Sequence, residues 1–381
     1  MNTPLGGKLI DRVASPAIAR RLLAQSAPRI VIHPEKATEV RNIAHGAYSP
    51  LKGFLTKPDF TSVLKRLRLA DGTLWPIPII LDIDQATVTI LTGQKKVFLV
   101  EQGKKKPLAI MDVEQIYPFD KDLFCRMVFK TNDVTLPGVK KTNAKSDYLL
   151  GGNITLVEDS RKLFPRYNLT PLQVRAFFKK MGWKKIVGFH TRNVPHRGHE
   201  HIQQEGLRQT DGIFMNPLVG WKKEGDFTNE VVVKSYVYLA RHVFPPGKAL
   251  VGILPYSPYY GGPREALLTA LIRKNFGCTH FIIGRDHTGV GDFYKPEDYE
   301  RILKKYRNDI GITILHFKRA FYCHGCKTTS LENVCPHSDG QRVHPSGTLV
   351  RKTLSAGKTP PAEMMRPAIV ELLLKEKKLF V

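Results

Sequence analysis

Ile186-Val187-Gly188-Phe189-His190-Thr191-Arg192-Asn193-Val194-Pro195-His196-Arg197-Gly198-His199 is the stretch that decides the fold. Its first four residues are apolar without alternation. A strand of that kind must be covered on both faces, as in a parallel sheet. Similar runs recur at residues 213–218, 249–254, 280–284 and 312–316. Helical patterns at 200–208, 229–241 and 263–274 lie between them. Buried strands alternating with helices predict an α/β core with a parallel, doubly wound sheet.

The core is expected over residues 169–318. Thr170 is a good N-cap and Pro171 suits the first helical position, so a helix should open there and run to Lys180. Residues 1–168 look like a β-rich domain, with short strand-like pieces at 30–33, 77–82, 87–91, 96–100 and 154–157 separated by Gly, Asp and Pro. Its turn-rich patch, Gly46-Ala47-Tyr48-Ser49-Pro50-Leu51 with Gly53-Phe54, reads as a structural loop packed by Tyr48 and Phe54. After Phe317 the pattern breaks into a Cys-rich loop, and residues 346–381 read as helical with a Pro360-Pro361 interruption. Residues 319–381 are therefore expected to form a small C-terminal subdomain.

The chain has 381 residues, 42% of them hydrophobic, enough for two or three domains. Residues 74–81 form the longest apolar stretch of note, and eight residues with two prolines cannot span a bilayer that needs about 20. The start, Met1-Asn2-Thr3-Pro4, has no apolar signal region, so a cytoplasmic protein is the expectation. The formal charge of +25 draws in anions. It is spread over short runs such as Lys104-Lys105-Lys106, with no basic tail and no interleaving of aromatic and basic residues on single strands. This favours small anionic substrates over nucleic acid.

Ligands of open α/β sheets bind beyond the carboxyl ends of the strands. The first strand runs into a segment rich in polar and charged groups. His196 and His199, three apart at a helix start, can face one side beside free backbone N–H groups, a geometry that holds phosphate. Arg192 and Arg197 add charge-assisted donors. The third strand leads to Gly261-Gly262-Pro263-Arg264-Glu265, where the glycines permit close approach and an anion would explain a cation in the first helical turn. The fourth ends in Gly284-Arg285-Asp286-His287-Thr288-Gly289, an Arg-Asp-His cluster among glycines. The zinc-protease spacing, the Gly-x-x-x-x-Gly-Lys-Ser/Thr loop and the Gly-x-Gly-x-x-Gly turn are all missing. No Ser or Cys sits in a nucleophile elbow, so direct transfer without a covalent enzyme intermediate is expected.

Five cysteines, three of them late and close together, do not make a secreted disulfide scaffold. Cys323-x-x-Cys326 with Cys335 and His337 suits structural Zn²⁺, with His344 as the alternative fourth ligand and a redox pair as the competing reading.

Taken together, Thr191-Arg192-Asn193 with His196-Arg197-Gly198-His199, Gly261-Gly262-Pro263-Arg264-Glu265 and Gly284-Arg285-Asp286-His287-Thr288-Gly289 resemble ATP sulfurylase (sulfate adenylyltransferase). Ser49-Pro50-Leu51, Pro217-Leu218-Val219-Gly220 and Ser346-Gly347-Thr348 with Arg351 extend the match along nearly the whole chain. The resemblance implies a β-rich PUA-like domain, then a Rossmann-like nucleotidyltransferase core. It implies adenylyl transfer from MgATP to sulfate, giving adenosine 5'-phosphosulfate and pyrophosphate, without a kinase domain. It also implies a homo-oligomer, expected as a homodimer.

On this resemblance Arg192 holds sulfate, His196 and His199 contact the ATP phosphates, Asn193 helps place the triphosphate, and Arg285 sits by the phosphates. His190, Thr191, Gly261, Gly262, Arg264, Gly284, Asp286, His287 and Thr288 complete the expected substrate-binding set. The family often has Gln where this chain has His190, and Pro directly after the Asn where this chain has Val194; here the proline is shifted to Pro195. An imidazole titrates near neutrality, so His190 is expected to alter the sulfate contact and its pH response.

Overall fold

A computed structural model describes residues 1–159, 163–284 and 293–381. The N-terminal part contains α1 (Pro16–Leu23), β1 (Arg29–Ile32), α2 (Pro34–Ala44), β2 (Gly53–Phe54), α3 (Lys57–Arg66), β3 (Asp82–Ile83) and α4 (Gln85–Leu91). It continues with β4 (Lys96–Glu101), β5 (Pro107–Asp112), β6 (Gln115–Pro118), α5 (Lys121–Val128), α6 (Pro137–Asn143) and β7 (Tyr148–Leu156). Its sheet runs β1-β4-β5-β7-β2, with β3 and β6 also paired to the long β7. Only β1 and β4 pair in parallel among these strands.

Two strand expectations fail here. Residues 87–91 are helical because the Asp84 carboxylate accepts the Thr87 N–H at 2.8 Å and caps α4, overriding the β-branched Thr87-Val88-Thr89-Ile90. Residues 77–81 are buried but lie outside any strand, and only Asp82 of the expected strand joins the sheet. Pro76 and Pro78 remove the N–H groups a ladder there would need.

The core holds α7 (Pro171–Lys180), β8 (Ile186–Thr191), α8 (Arg197–Arg208), β9 (Gly212–Val219), α9 (Asn229–His242), β10 (Ala249–Val251) and β11 (Leu254–Pro255). It continues with α10 (Pro263–Phe276), β12 (His280–Ile283), α11 (Pro296–Lys305), α12 (Arg307–Ile310) and β13 (Thr313–His316). Thr170 and Gln173 close a reciprocal capping box on α7. The sheet order is β10-β9-β8-β12-β13, every pair parallel. The chain thus winds outward to one side of β8 and then to the other, which opens a crevice between the carboxyl ends of β8 and β12. The expected strand over 249–254 is split into two, both paired to β9. At the break a Cβ on Gly252 would stand 2.9 Å from the Phe214 ring.

The C-terminal part comprises β14 (Ala320–Cys323), β15 (Thr328–Leu331), β16 (Arg342–Val343), α13 (Gly347–Ser355) and α14 (Pro367–Leu374). The Cys-rich segment is not a bare loop: β14 pairs antiparallel with both β15 and β16. No helix of the described residues is long and apolar enough to cross a membrane.

One apolar cluster runs through the N-terminal sheet and the α10 side of the core. Polar pairs fix the register between these parts. Asn275 on α10 accepts from Leu5 N and donates to the carbonyls of Ala47 and Ser49, so the turn-rich patch is a docking surface for α10. Asn42 donates to Pro255 O, and Tyr259 to Glu39.

Arg264 belongs to this junction, which corrects the expectation of an anion beside it. Its guanidinium is buried and donates to Val63 O, Leu64 O and Pro76 O, mostly carbonyls of the last turn of α3. A cation suits a helix C-terminus. Gly261 and Gly262 likewise answer to protein: a Cβ on Gly262, at φ +51°, would lie 2.4 Å from the Tyr294 ring, and one on Gly261 would lie 3.0 Å from Ile77. Replacing Arg264 by Met should leave three buried carbonyls without their donor and cost about 3 kcal/mol of unfolding free energy. The apparent affinity of the crevice for its ligand should stay within about threefold. Urea unfolding and steady-state kinetics on the same preparation check both halves.

Candidate active site

The loop after β8 and the start of α8 form the best-defined wall of the crevice. His196 is the N-cap of α8, and its Nδ1 accepts the backbone N–H of His199 at 3.3 Å. An accepting Nδ1 places the proton of a neutral imidazole on Nε2 and makes that atom a donor. The His196 and His199 rings stack at 3.8 Å between centroids with 18° between planes. Burial drives both pKa values down, His196 well below 6.5, helped by His199, and His199 to about 4 despite the backbone of Val194. Near neutral pH the pair therefore presents neutral rings beside the positive end of a helix.

Arg192, just past β8, lies in a denser charge cluster. Its Nη2 donates to Asp226 Oδ2 at 2.9 Å. Arg351 of α13 donates to the other oxygen of the same carboxylate, also at 2.9 Å. Lys222 Nζ donates to the Arg192 carbonyl at 2.8 Å. Asp226 and Lys222 are both buried. Asn193 donates its backbone N–H to Thr191 Oγ1 at 3.1 Å, and its side chain faces Gly347, where a Cβ would lie 3.3 Å away. Ser346 caps α13 by accepting the Leu349 N–H. The start of α13 is thereby placed against the β8 loop.

The structure thus brings Thr191, Arg192, Asn193, His196 and His199 to one rim. His190 is half-buried, with its ring edge-on to Phe281 at 5.2 Å. Arg197 faces the C-terminal part: it donates to Ala362 O at 2.9 Å and to Glu200, which also takes Arg366 at 2.7 Å. That placement replaces the reading of Arg197 as an anion ligand. Glu265, buried on α10, accepts from Tyr256 Oη and the N–H groups of Tyr259 and Gly261, shaping the loop that precedes the helix. Gly284 closes β12 at the crevice. Arg285, Asp286, His287 and Thr288 lie outside the described residues.

Lys222 follows the second strand as one of the cations the sequence places at strand ends, Arg351 stands out in the sequence only for its match to a family motif, and Asp226 carries no signal there. Lys222 and Asp226 follow the second strand, the position the strand-end rule indicates. Gly225-Asp226 is an ordinary turn pair, however, and gave no separate signal.

Cys323, Cys326, Cys335 and His337 converge in the β14–β15 hairpin. Their ligand atoms all lie within 4.8 Å of one another. Cys326 Sγ is 3.7 Å from Cys335 Sγ, and His337 Nδ1 is 3.5, 3.3 and 3.6 Å from the sulfurs of Cys323, Cys326 and Cys335. A tetrahedral Zn²⁺ with usual bond lengths needs S···S of about 3.8 Å and S···N of about 3.6 Å. The donor set fits a metal. His344 is turned to Asp339 at 3.0 Å and lies outside the cluster.

A parallel sheet with a His-x-x-His helix start after its first strand, and cations gathered at the neighbouring strand ends, is the build of a nucleotidyltransferase core. A profile of the ATP-sulfurylase family matches residues 165–376, and one of the PUA-like domain matches residues 2–159. Sulfate adenylyltransferase of Ignicoccus hospitalis is 44% identical over the full length of both chains, and that of Hyperthermus butylicus 45% identical over 100% of this chain and 98% of its own. That of Pyrococcus abyssi is 43% identical over 98% and 97%. The chain belongs to the ATP-sulfurylase family. Among solved structures, the hexameric APS kinase from Thiobacillus denitrificans superposes with a TM-score of 0.77 over 99% of this chain and 69% of that one, at 23% identity, and so shares the fold.

The depressed histidine pKa values set a pH dependence. An unfolded chain binds a proton on the His199 imidazole below about pH 6.5 and the native state does not until about pH 4, and the His196 pKa is lowered in the same direction. The unfolded state therefore gains protons in that window, and native stability falls as pH drops through it. Urea unfolding at pH 7.5 and pH 5.0 should show a smaller acid loss in His199→Gln than in the parent chain. Equal losses would remove the burial argument.

Proposed function

We propose that this chain transfers the adenylyl group of MgATP to sulfate, forming adenosine 5'-phosphosulfate and pyrophosphate in a reversible reaction. A sulfate oxygen attacks the α-phosphorus. The bond from that phosphorus to the bridging oxygen of the β-phosphate breaks, and pyrophosphate leaves. Sulfate arrives deprotonated, so no general base is needed. Both reactants are anions that repel each other in water, and the enzyme's task is to neutralise and align them. The observation that carries this reading is the gathering of Arg192, Arg351 and Lys222 beside the His196–His199 helix start, at the rim where the family's sheet binds its ligands.

In this assignment Arg192 fixes sulfate. His196 and His199 donate to the triphosphate and stabilise charge developing toward pyrophosphate, with Asn193 placing it and Thr191 holding the Asn193 backbone. Arg285, with Asp286, His287 and Thr288, would border the phosphates from the other side of the crevice, after Gly284. Mg²⁺ supplied with ATP would neutralise phosphate charge. We retain residues 1–168, 169–318 and 319–381 as the working division of the chain, and a homodimer as its expected assembly. Cys323, Cys326, Cys335 and His337 would hold a structural Zn²⁺.

Two measurements test these assignments. His199→Ala should lower sulfate-dependent exchange between pyrophosphate and ATP by about a hundredfold, and a full parental rate would defeat the role given to the histidines. Molybdate, a sulfate-shaped dianion, should drive AMP release from ATP; its failure would point to another acceptor. Separately, Cys335→Ser should remove about one zinc per chain by metal analysis and lower the melting temperature by several degrees, with the KM for ATP little changed.

A further inference from the structure

The loop from Gly220 to Asn229 carries Asp226, and the chain holds it from two sides. At its base the Asn229 amide donates to Gly220 O at 2.9 Å, and its oxygen accepts the Gly220 N–H at 3.4 Å. On the other side lie residues 379–381, which follow α14. Val381 N donates to Asp226 O and Thr228 N to Leu379 O, both at 2.9 Å, and Gly225 N donates to a main-chain oxygen of Val381 at 3.2 Å. This is a short antiparallel pairing of Phe227 with Phe380, whose ring centroids lie 4.9 Å apart. Main-chain bonds on both sides of Asp226 fix its backbone, and with it the direction of its side chain. Phe227 is fully buried in an apolar cluster that also contains Val194 of the β8 loop and Val350 of α13, with Leu379 and Phe380 packed against it. Each of these anchors is next in sequence to a group at the rim: Val194 to Asn193, Phe227 to Asp226, and Val350 to Arg351. The rim stands on one apolar floor, and residues 379–380 are part of it.

We infer that residues 379–381 position the site: by pairing with residues 225–228 and laying Phe380 on Phe227, they set where the Asp226 carboxylate stands and hence how Arg192 and Arg351 share it. This rests on the sulfate-dependent activity proposed above and adds to it a positioning element that acts through Asp226. Arg192 and Arg351 each donate to Asp226 at 2.9 Å. A backbone shift of about 1 Å would open one or both bonds and displace the guanidinium that the assignment gives to sulfate. A misplacement of that size, made far from the chemistry, costs up to about a hundredfold. The start of α8 is held separately, by the Arg197 N–H on Met364 O and the Arg197 guanidinium on Ala362 O. The effect of residues 379–381 therefore falls on sulfate and spares ATP.

The test compares the parent chain with Phe380→Ala, Phe380→Tyr and a variant ending at Lys378, and combines Phe380→Ala with Asp226→Asn. Steady-state pyrophosphate release gives the KM for sulfate and for ATP, and hydrogen exchange read by mass spectrometry follows the amides of residues 223–228. Phe380→Ala and the shortened chain should each raise the sulfate KM about tenfold and leave the ATP KM within about twofold. Phe380→Tyr keeps the ring pair and should restore both values to within about twofold of the parent. Exchange at 223–228 should quicken about tenfold in Phe380→Ala, with the amides of α8 unchanged. Asp226→Asn should itself raise the sulfate KM, and Phe380→Ala should add less than about twofold to it, because the ring acts through that carboxylate. Equal rises in both KM values, an unchanged sulfate KM in folded Phe380→Ala, or a full further rise in the Asp226→Asn background would overturn the positioning role and leave the activity standing. Unaltered exchange at 223–228 would overturn it without reference to catalysis. A parent chain with no sulfate-dependent pyrophosphate release would instead overturn the functional reading.

Discussion

The carboxylate of Asp226 is the contact on which the site depends. It receives one guanidinium on each oxygen, from Arg192 beside β8 and from Arg351 on α13. Two guanidinium groups and a buried ammonium would otherwise repel one another, and nothing else among the described ion pairs joins the β8 loop to α13. Removing Asp226 from such an arrangement is more disruptive than a surface ion pair would suggest, because the partly buried guanidinium groups would lose their shared carboxylate. The carboxylate thus lets the fold keep positive charge concentrated at a sheet rim without letting the C-terminal helices drift away from it.

The two halves of the rim would receive the proposed reactants by different physics. The His196–His199 pair is kept neutral by burial and presents fixed N–H donors, with the α8 dipole supplying partial positive charge. The Asp226 cluster supplies full charge. A triphosphate already neutralised by a cation suits the first environment, and a bare dianion suits the second. On the proposed assignment this division would place two mutually repelling reactants in different surroundings, which a uniform patch of lysines would not do.

Much of this was legible in the sequence where a buried strand is followed at once by its chemistry. Ile186 to Phe189 announced the parallel sheet, and the residues after it carried the His pair and Arg192. Arg264 shows where such reading stops. A cation in a first helical turn suggests an anion nearby, yet this side chain reaches carbonyls on α3, about 200 positions earlier in the chain. Asp226 is hidden for the same reason: its meaning lies in a contact with α13, far along the chain. The helix α4 hides behind β-branched residues because a single cap outweighs propensity. Five other helices of the N-terminal part likewise gave no signal strong enough to compete with the Gly, Asp and Pro punctuation around them.

The Cys-rich hairpin bears on the site through packing. It is small, with Phe321, Cys323 and Cys335 as its buried cluster, too little apolar surface to hold three short strands by itself. A metal across the four ligands would supply the missing cohesion. The hairpin in turn rests on α8: a Cβ on Gly198 would stand 3.7 Å from Ala320 of β14 and 3.1 Å from the His196 ring. The residue that brings α8 close to the hairpin is thus the one on which the His196 imidazole lies. Arg197 and Arg366 complete the attachment through Met364 O, Ala362 O and Glu200. The C-terminal part therefore grips the reactive helix start at two places, by the hairpin under His196 and by Arg351 on Asp226, so its position governs both the neutral and the charged half of the rim.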